Sequence, residues 1–143
     1  MRLTNARSLT FVAGAGGAKI VQPKDSNTFD IFLSHDIHLQ GLEIVGVPGS
    51  MPSSGGAGVF FTQASDVHIN GCDIHQNEGG GVTATNGSLL FLNNTKIHND
   101  TPFGDGLDVI NNSTAVVIGS TIQDNGSACS ALLNCQANGG GSS

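Results

Sequence analysis

The chain has 143 residues; 58 are Gly, Asn, Ser or Thr and 30 are β-branched, against 15 Glu, Lys, Arg, Gln and Met, which excludes a helical bundle and fits one domain with a core. A formal charge of −6 with only five Lys and Arg excludes a basic nucleic-acid-binding surface. No apolar run approaches a membrane span, and regularly spaced aliphatic clusters at a mean hydropathy of +0.03 exclude disorder.

In chain order, Ser8-Leu9-Thr10-Phe11-Val12 reads as a short strand, followed by the glycine-rich Gly14-Ala15-Gly16-Gly17-Ala18-Lys19. That segment lacks the spacing of a nucleotide fingerprint and no helix follows it, so it is a turn. From Leu39 a unit begins, Leu39-Gln40-Gly41-Leu42-Glu43-Ile44-Val45-Gly46-Val47. It recurs 30 residues later as Ile69-Asn70-Gly71-Cys72-Asp73-Ile74-His75-Gln76-Asn77, then 23 later as Leu92-Asn93-Asn94-Thr95-Lys96-Ile97-His98-Asn99-Asp100. A further 25 residues on it returns as Val117-Ile118-Gly119-Ser120-Thr121-Ile122-Gln123-Asp124-Asn125. The extra residues of the first interval fall in a Pro/Gly/Ser-rich loop over 47–54. The other half of the unit recurs as Phe29/Ile31, Val59/Phe61, Val82/Ala84 and Leu107/Val109.

A period near 23 without a helical stretch predicts an all-β parallel β-solenoid of about five short coils, stacked about 4.8 Å apart. One coil cannot bury its apolar face alone, so the coils form a core only together. Equivalent residues then stack. Leu39, Ile69, Leu92 and Val117 make one interior column, and Ile44, Ile74, Ile97 and Ile122 another. Leu42, Cys72, Thr95 and Ser120 make a smaller third, so Cys72 reads as a buried small residue rather than a reactive thiol. Asn77, Asp100 and Asn125 form a turn ladder bonding the backbone of neighbouring coils. In Ala115-Val116-Val117-Ile118 either alternation satisfies an inward face. The domain is expected to span 1–138, with a Gly/Ser tail over 139–143.

These residues resemble the right-handed parallel β-helix, or pectate-lyase-like, superfamily. Asp36-Ile37-His38-Leu39-Gln40-Gly41-Leu42-Glu43-Ile44 is similar to the strand pattern before the first full coils of such proteins, and residues 8–20 to their opening coil. The resemblance covers roughly 8–125 and implies a right-handed β-helix; it does not fix an activity, because this fold carries lyases, hydrolases, epimerases, tailspikes and adhesins.

Gly104-Asp105-Gly106-Leu107-Asp108 resembles the polygalacturonase segment that carries one catalytic Asp, which implies Asp105 at that position. Inverting hydrolysis needs a separated acid and carboxylate, and Asp108 and Asp124 are the other candidates. The family's adjacent Asp pair one coil later has no counterpart in Asn125-Gly126-Ser127-Ala128-Cys129. A uronate lyase needs a base and positive charge or calcium. Here only Lys96 lies in the repeated body, where an ion pair with Asp73 is expected, and no Arg lies beyond Arg7. His38 stacks on His68 and His75 on His98, but two imidazoles are short of a metal's ligand set, and Asp30 and Asp108 lie coils apart, so no metal or other cofactor is assigned.

The expected function is therefore a non-catalytic β-helix module, extracellular or at the cell surface, that is structural, adhesive or glycan-contacting. Phe60 and Phe103 are the aromatic contacts for its expected partner, polysaccharide. A truncated or divergent polysaccharide hydrolase or lyase, using Asp105, Asp108 and Asp124, is the alternative. Met1-Arg2-Leu3-Thr4 opens no signal peptide, so any secretion signal is expected to have been removed or to lie in a longer parent. Cys129 and Cys135 are close enough in sequence to close a small disulfide in an oxidising compartment. Few apolar residues are available to cover the end coils, so the chain is expected to continue into coils of a longer parent or to stack end to end with copies of itself.

Overall fold

The structure, a computed structural model, describes residues 1–46, 56–100 and 104–125, together with the backbone of two later strands. Seventeen strands and no helix are found among these residues. The first coil is β1 (Arg2–Thr4), β2 (Arg7–Val12) and β3 (Ala18–Val21); the second is β4 (Phe29–Phe32), β5 (His35–Gln40) and β6 (Leu42–Val45). The third is β7 (Val59–Thr62), β8 (Asp66–Asn70) and β9 (Asp73–His75); the fourth is β10 (Gly80–Ala84), β11 (Leu89–Asn93) and β12 (Lys96–His98). The fifth is β13 (Asp105–Val109), β14 (Thr114–Ile118) and β15 (Thr121–Gln123), followed by β16 (Ser127–Ala131) and β17 (Cys135–Asn138).

Every third strand pairs in parallel with its predecessor one coil below. Sheet 1 runs β1-β4-β7-β10-β13-β16, sheet 2 runs β2-β5-β8-β11-β14-β17, and sheet 3 runs β3-β6-β9-β12-β15. Sheet 1 thus starts one strand earlier than the sequence pattern suggests. Leu3 pairs with Ile31, and the Arg2 guanidinium lies 4.5 Å over the Phe32 ring, which gives β1 an inner and an outer contact.

The predicted columns form in register. Leu39, Ile69, Leu92 and Val117 are successive partners in sheet 2, and Ile44, Ile74, Ile97 and Ile122 in sheet 3, all buried. Phe29/Ile31, Val59/Phe61, Val82/Ala84 and Leu107/Val109 fill the third side. The alternation of β14 resolves with Ala115 and Val117 inward, and Ile118 exposed. Cys72 is buried and, among the described residues, unpaired, and burial pushes its thiol pKa up. Cys129 and Cys135 lie on β16 and β17, opposite Leu107 and Ala115; their side chains fall outside the described residues.

Each corner of the coil is a polar ladder, because three closely spaced turns must satisfy buried backbone groups. Between sheets 1 and 2, the buried Ser34 and Ser88 backbone N–H groups donate to Ser65 Oγ and Ser113 Oγ of the next coil, each at 3.1 Å. Between sheets 2 and 3, one left-handed residue turns the chain: Gly41, Gly71, Asn94 and Gly119 have φ of 65°, 62°, 47° and 57°. Glycine and asparagine are the residues that adopt this conformation at least cost, which explains their recurrence in the repeat. Beside them Cys72 N donates to Thr95 Oγ1 and Thr95 N to Ser120 Oγ. Between sheets 3 and 1, Asn77 N donates to Asp100 Oδ1 at 2.8 Å and Asp100 N to Asn125 Oδ1 at 3.1 Å, the predicted turn ladder.

Candidate functional site

The outward side chains of sheet 2 repeat in pairs up the stack: His38 and Gln40 on β5, His68 and Asn70 on β8, Phe91 and Asn93 on β11. His38 and His68 stack with ring centroids 4.5 Å apart, and His68 and Phe91 at 4.6 Å, with interplanar angles of 13° and 12°. Beside this ring stack, Asn93 Nδ2 donates to Asn70 Oδ1 at 3.3 Å. The two ladders border a groove of about 280 Å3, which Val116 and Ile118 extend with apolar surface. Because the rings face one another, they offer their edges to the groove, while the amides keep hydrogen-bonding capacity at each rung.

At one edge of this groove β5 departs from regular pairing. Asp66 N donates to Ser34 O, while one residue on Val67 pairs with Ile37, so β5 holds one residue more than β8 between these points. The surplus residue is Asp36, at φ 58°. This is a β-bulge with an aspartate in the left-handed region, a conformation that Asp tolerates better than most residues. Asp66 fixes it: one carboxylate oxygen accepts from Asp36 N at 2.6 Å, and the other lies 3.0 Å from His35 Nδ1. The bulge delivers the Asp36 carboxylate to His38, with Oδ1 2.7 Å from Nε2. Hydrogen bonds from His38 and Ser8 hold Asp36 below the usual carboxylate range. Burial pushes the His68 imidazole below its ordinary value, and neighbouring His38 adds to the shift. The His pair seen in the sequence is thus joined by a third donor group. The ligand atoms of Asp36, His38 and His68 lie within 4.8 Å of one another.

The second predicted pair, His75 and His98, also stacks, at 5.1 Å. Each ring reaches back one coil to an acid: His75 Nε2 lies 3.3 Å from Glu43 Oε1, and His98 Nε2 lies 2.8 Å from Asp73 Oδ1. This overturns the expected Lys96–Asp73 ion pair. Lys96 and Asp73 are register partners, but among the described residues the Asp73 carboxylate is engaged by His98, whose shorter, more rigid side chain loses less freedom on docking.

Of the predicted acids, Asp105 opens β13 and Asp108 stands three residues along it, in the outer row Asp30, Phe60, Thr83, Asp108 of sheet 1. Asp124 is an exposed turn residue after β15 at φ 54°, with its carboxylate 3.0 Å from Gln123 Nε2. It precedes by three residues Ser127, the partner of Asp105, so Asp105 and Asp124 occupy the same corner on successive coils. Phe60 borders a more open depression of about 360 Å3, together with Asn27 and Thr83. Phe103 lies outside the described residues.

Besides Asp36, two further features were not evident in the sequence. Phe91 completes the ring stack, and its outward orientation follows by alternation once Leu92 is set inward. The other is the ionisation of Asp100. Burial raises its carboxyl pKa to about 7, against the lowering effect of two hydrogen bonds from Asn77. Its Oδ2 has no hydrogen-bond partner among the described residues. A Cβ on Gly81 would fall 2.8 Å from that oxygen and 2.3 Å from Ile97 Cγ2, so only glycine lets the strand lie this close.

Comparison with curated proteins and with solved structures gives no match. A family model described as the right handed beta helix region matches residues 20–141, and with its three parallel sheets the chain belongs to the right-handed β-helix family.

Proposed function

We propose that this chain is a non-catalytic, glycan-contacting β-helix module that works outside the cell or at its surface. The observation that carries the reading is the sheet 2 groove, where a ring and an amide recur on three successive rungs. A polysaccharide laid along the stack axis meets equivalent donors and acceptors at each rung, so modest contacts add up along the polymer. Such a surface needs no paired acids, and Asp105, Asp108 and Asp124 lie on sheet 1 and its corner rather than in this groove.

Calorimetric titration with a panel of neutral and acidic polysaccharides tests the reading. Replacing Asn70 and Asn93 together by alanine is expected to weaken the best binder about tenfold while leaving the fold unchanged, as two exposed or half-buried amides are lost. Absence of binding across the panel, or binding indifferent to both amides, overturns it. Reducing-end and unsaturated-product assays on the same panel examine the alternative, a polysaccharide-active enzyme. Asp105→Asn is expected to leave carbohydrate binding unaltered. Cleavage by the native chain that falls by orders of magnitude in Asp105→Asn establishes the enzyme instead.

Self-association belongs to the same proposal. Among the described residues, strands β1, β2 and β3 are paired on one side only, and Leu9, Val12 and Val21 are exposed beside them. Sedimentation over a concentration series is expected to show growing assemblies. A folded monomer at every concentration counts against stacking.

A further inference from the structure

We propose that Asp36, His38 and His68 form a binding site for a divalent transition-metal ion of the zinc type. Two imidazoles and a carboxylate are the donor set such ions take, and three protein ligands leave a coordination position for water or an exogenous oxygen. The three ligand atoms already lie within 4.8 Å of one another, and Asp36 Oδ1 and His38 Nε2 are 2.7 Å apart. An ion bound at about 2.1 Å to each needs them within roughly 3–4 Å, a change that small rotations of exposed or half-buried side chains supply.

The surroundings are built in the way a ligand set requires. Asp36 owes its place to the bulge of β5, and the bulge is fixed from outside by the bond of its N–H to Asp66. Asp66 also engages His35, so this second carboxylate acts on the backbone and on a neighbouring ring. His68 is held between the rings of His38 and Phe91. Supporting contacts of this kind orient ligands and limit what is lost on binding. The other histidine pair differs. His75 and His98 each face one acid of the coil below, Glu43 and Asp73, and no three-donor group forms there among the described residues. The site lies at the edge of the sheet 2 groove, but metal binding is read without carbohydrate, so it stands or falls separately from the glycan proposal.

The test is titration of the chain with Zn2+ by calorimetry, and with Co2+ followed by its visible absorption. One equivalent is expected to bind, with the ligand-field bands of a nitrogen- and oxygen-ligated ion. His68→Phe retains a ring between His38 and Phe91 and is expected to weaken binding roughly 100-fold or more, with Asp36→Asn weakening it at least tenfold. His98→Gln, in the other pair, is expected to leave affinity within twofold. Circular dichroism identifies any variant that fails to fold, and if His68→Phe does, His38→Gln takes its place with the same expected loss. Failure of the native chain to bind either ion, or loss on His98→Gln with full affinity in His68→Phe and Asp36→Asn, overturns the assignment.

Discussion

Replacing Ile97 by aspartate is expected to abolish the folded state. Ile97 is fully buried, paired with Ile74 below and Ile122 above, and its Cγ2 packs against the backbone of Gly81 across the coil. A carboxylate there meets hydrocarbon on both sides along the stack, with no cation in the column. An unpaired buried charge costs about 3–5 kcal/mol, to which the lost apolar burial adds about 2 kcal/mol more. The sum is of the same order as the whole stability of a typical domain. Ile97→Val removes one methyl group and is expected to cost only about 1 kcal/mol. Chemical denaturation of both variants checks the pair. A cooperative transition for Ile97→Asp near that of the native chain contradicts the packing described above.

Asp100 gives the second large effect, and its sign is opposite to that of most acids in folded proteins. Its pKa is about 7 in the folded chain against an ordinary value of 3.8. Below pH 3.8 the group is protonated in both states and contributes no difference. As pH rises from there to about 7, the unfolded chain releases a proton that the folded chain retains, so stability falls across this window. Above pH 7 the loss is complete, on the order of 4 kcal/mol. Asp100→Asn keeps an oxygen to accept from Asn77 and makes the ladder Asn-Asn-Asn. The variant is expected to match the native chain near pH 4 and to exceed it by up to about 4 kcal/mol at pH 8. Denaturation midpoints measured at both pH values decide it; a native chain equally stable at pH 4 and pH 8 shows that Asp100 ionises without penalty.

The legible part of the fold was the part repeated on every rung. Ile44, Ile74, Ile97 and Ile122 could be aligned because a parallel stack demands the same inward chemistry in each coil, and glycine recurred with them at Gly41, Gly71 and Gly119, where the structure has its left-handed turns. The site was harder to see because it rests on a departure from the repeat. Asp36 is a single surplus residue within an otherwise regular strand, with no glycine to announce it, so the His38–His68 pair looked incomplete. Phe91 sits among leucines, where hydrophobic alternation offers no contrast between faces. The altered ionisation of Asp100 depends on depth of burial, which a turn-rich sequence does not display, although its place in the ladder was evident.

The parallel pairing of all three sheets also dictates how the molecule answers force. Interstrand hydrogen bonds run roughly along the stack, so tension applied between its two ends loads them in sequence, coil after coil, rather than in concert. Each coil that opens replaces a rise of about 4.8 Å by a released segment of about 23 residues, which extends to about 80 Å. Under tension the stack would therefore give up length in steps of one coil while the remaining coils stay folded.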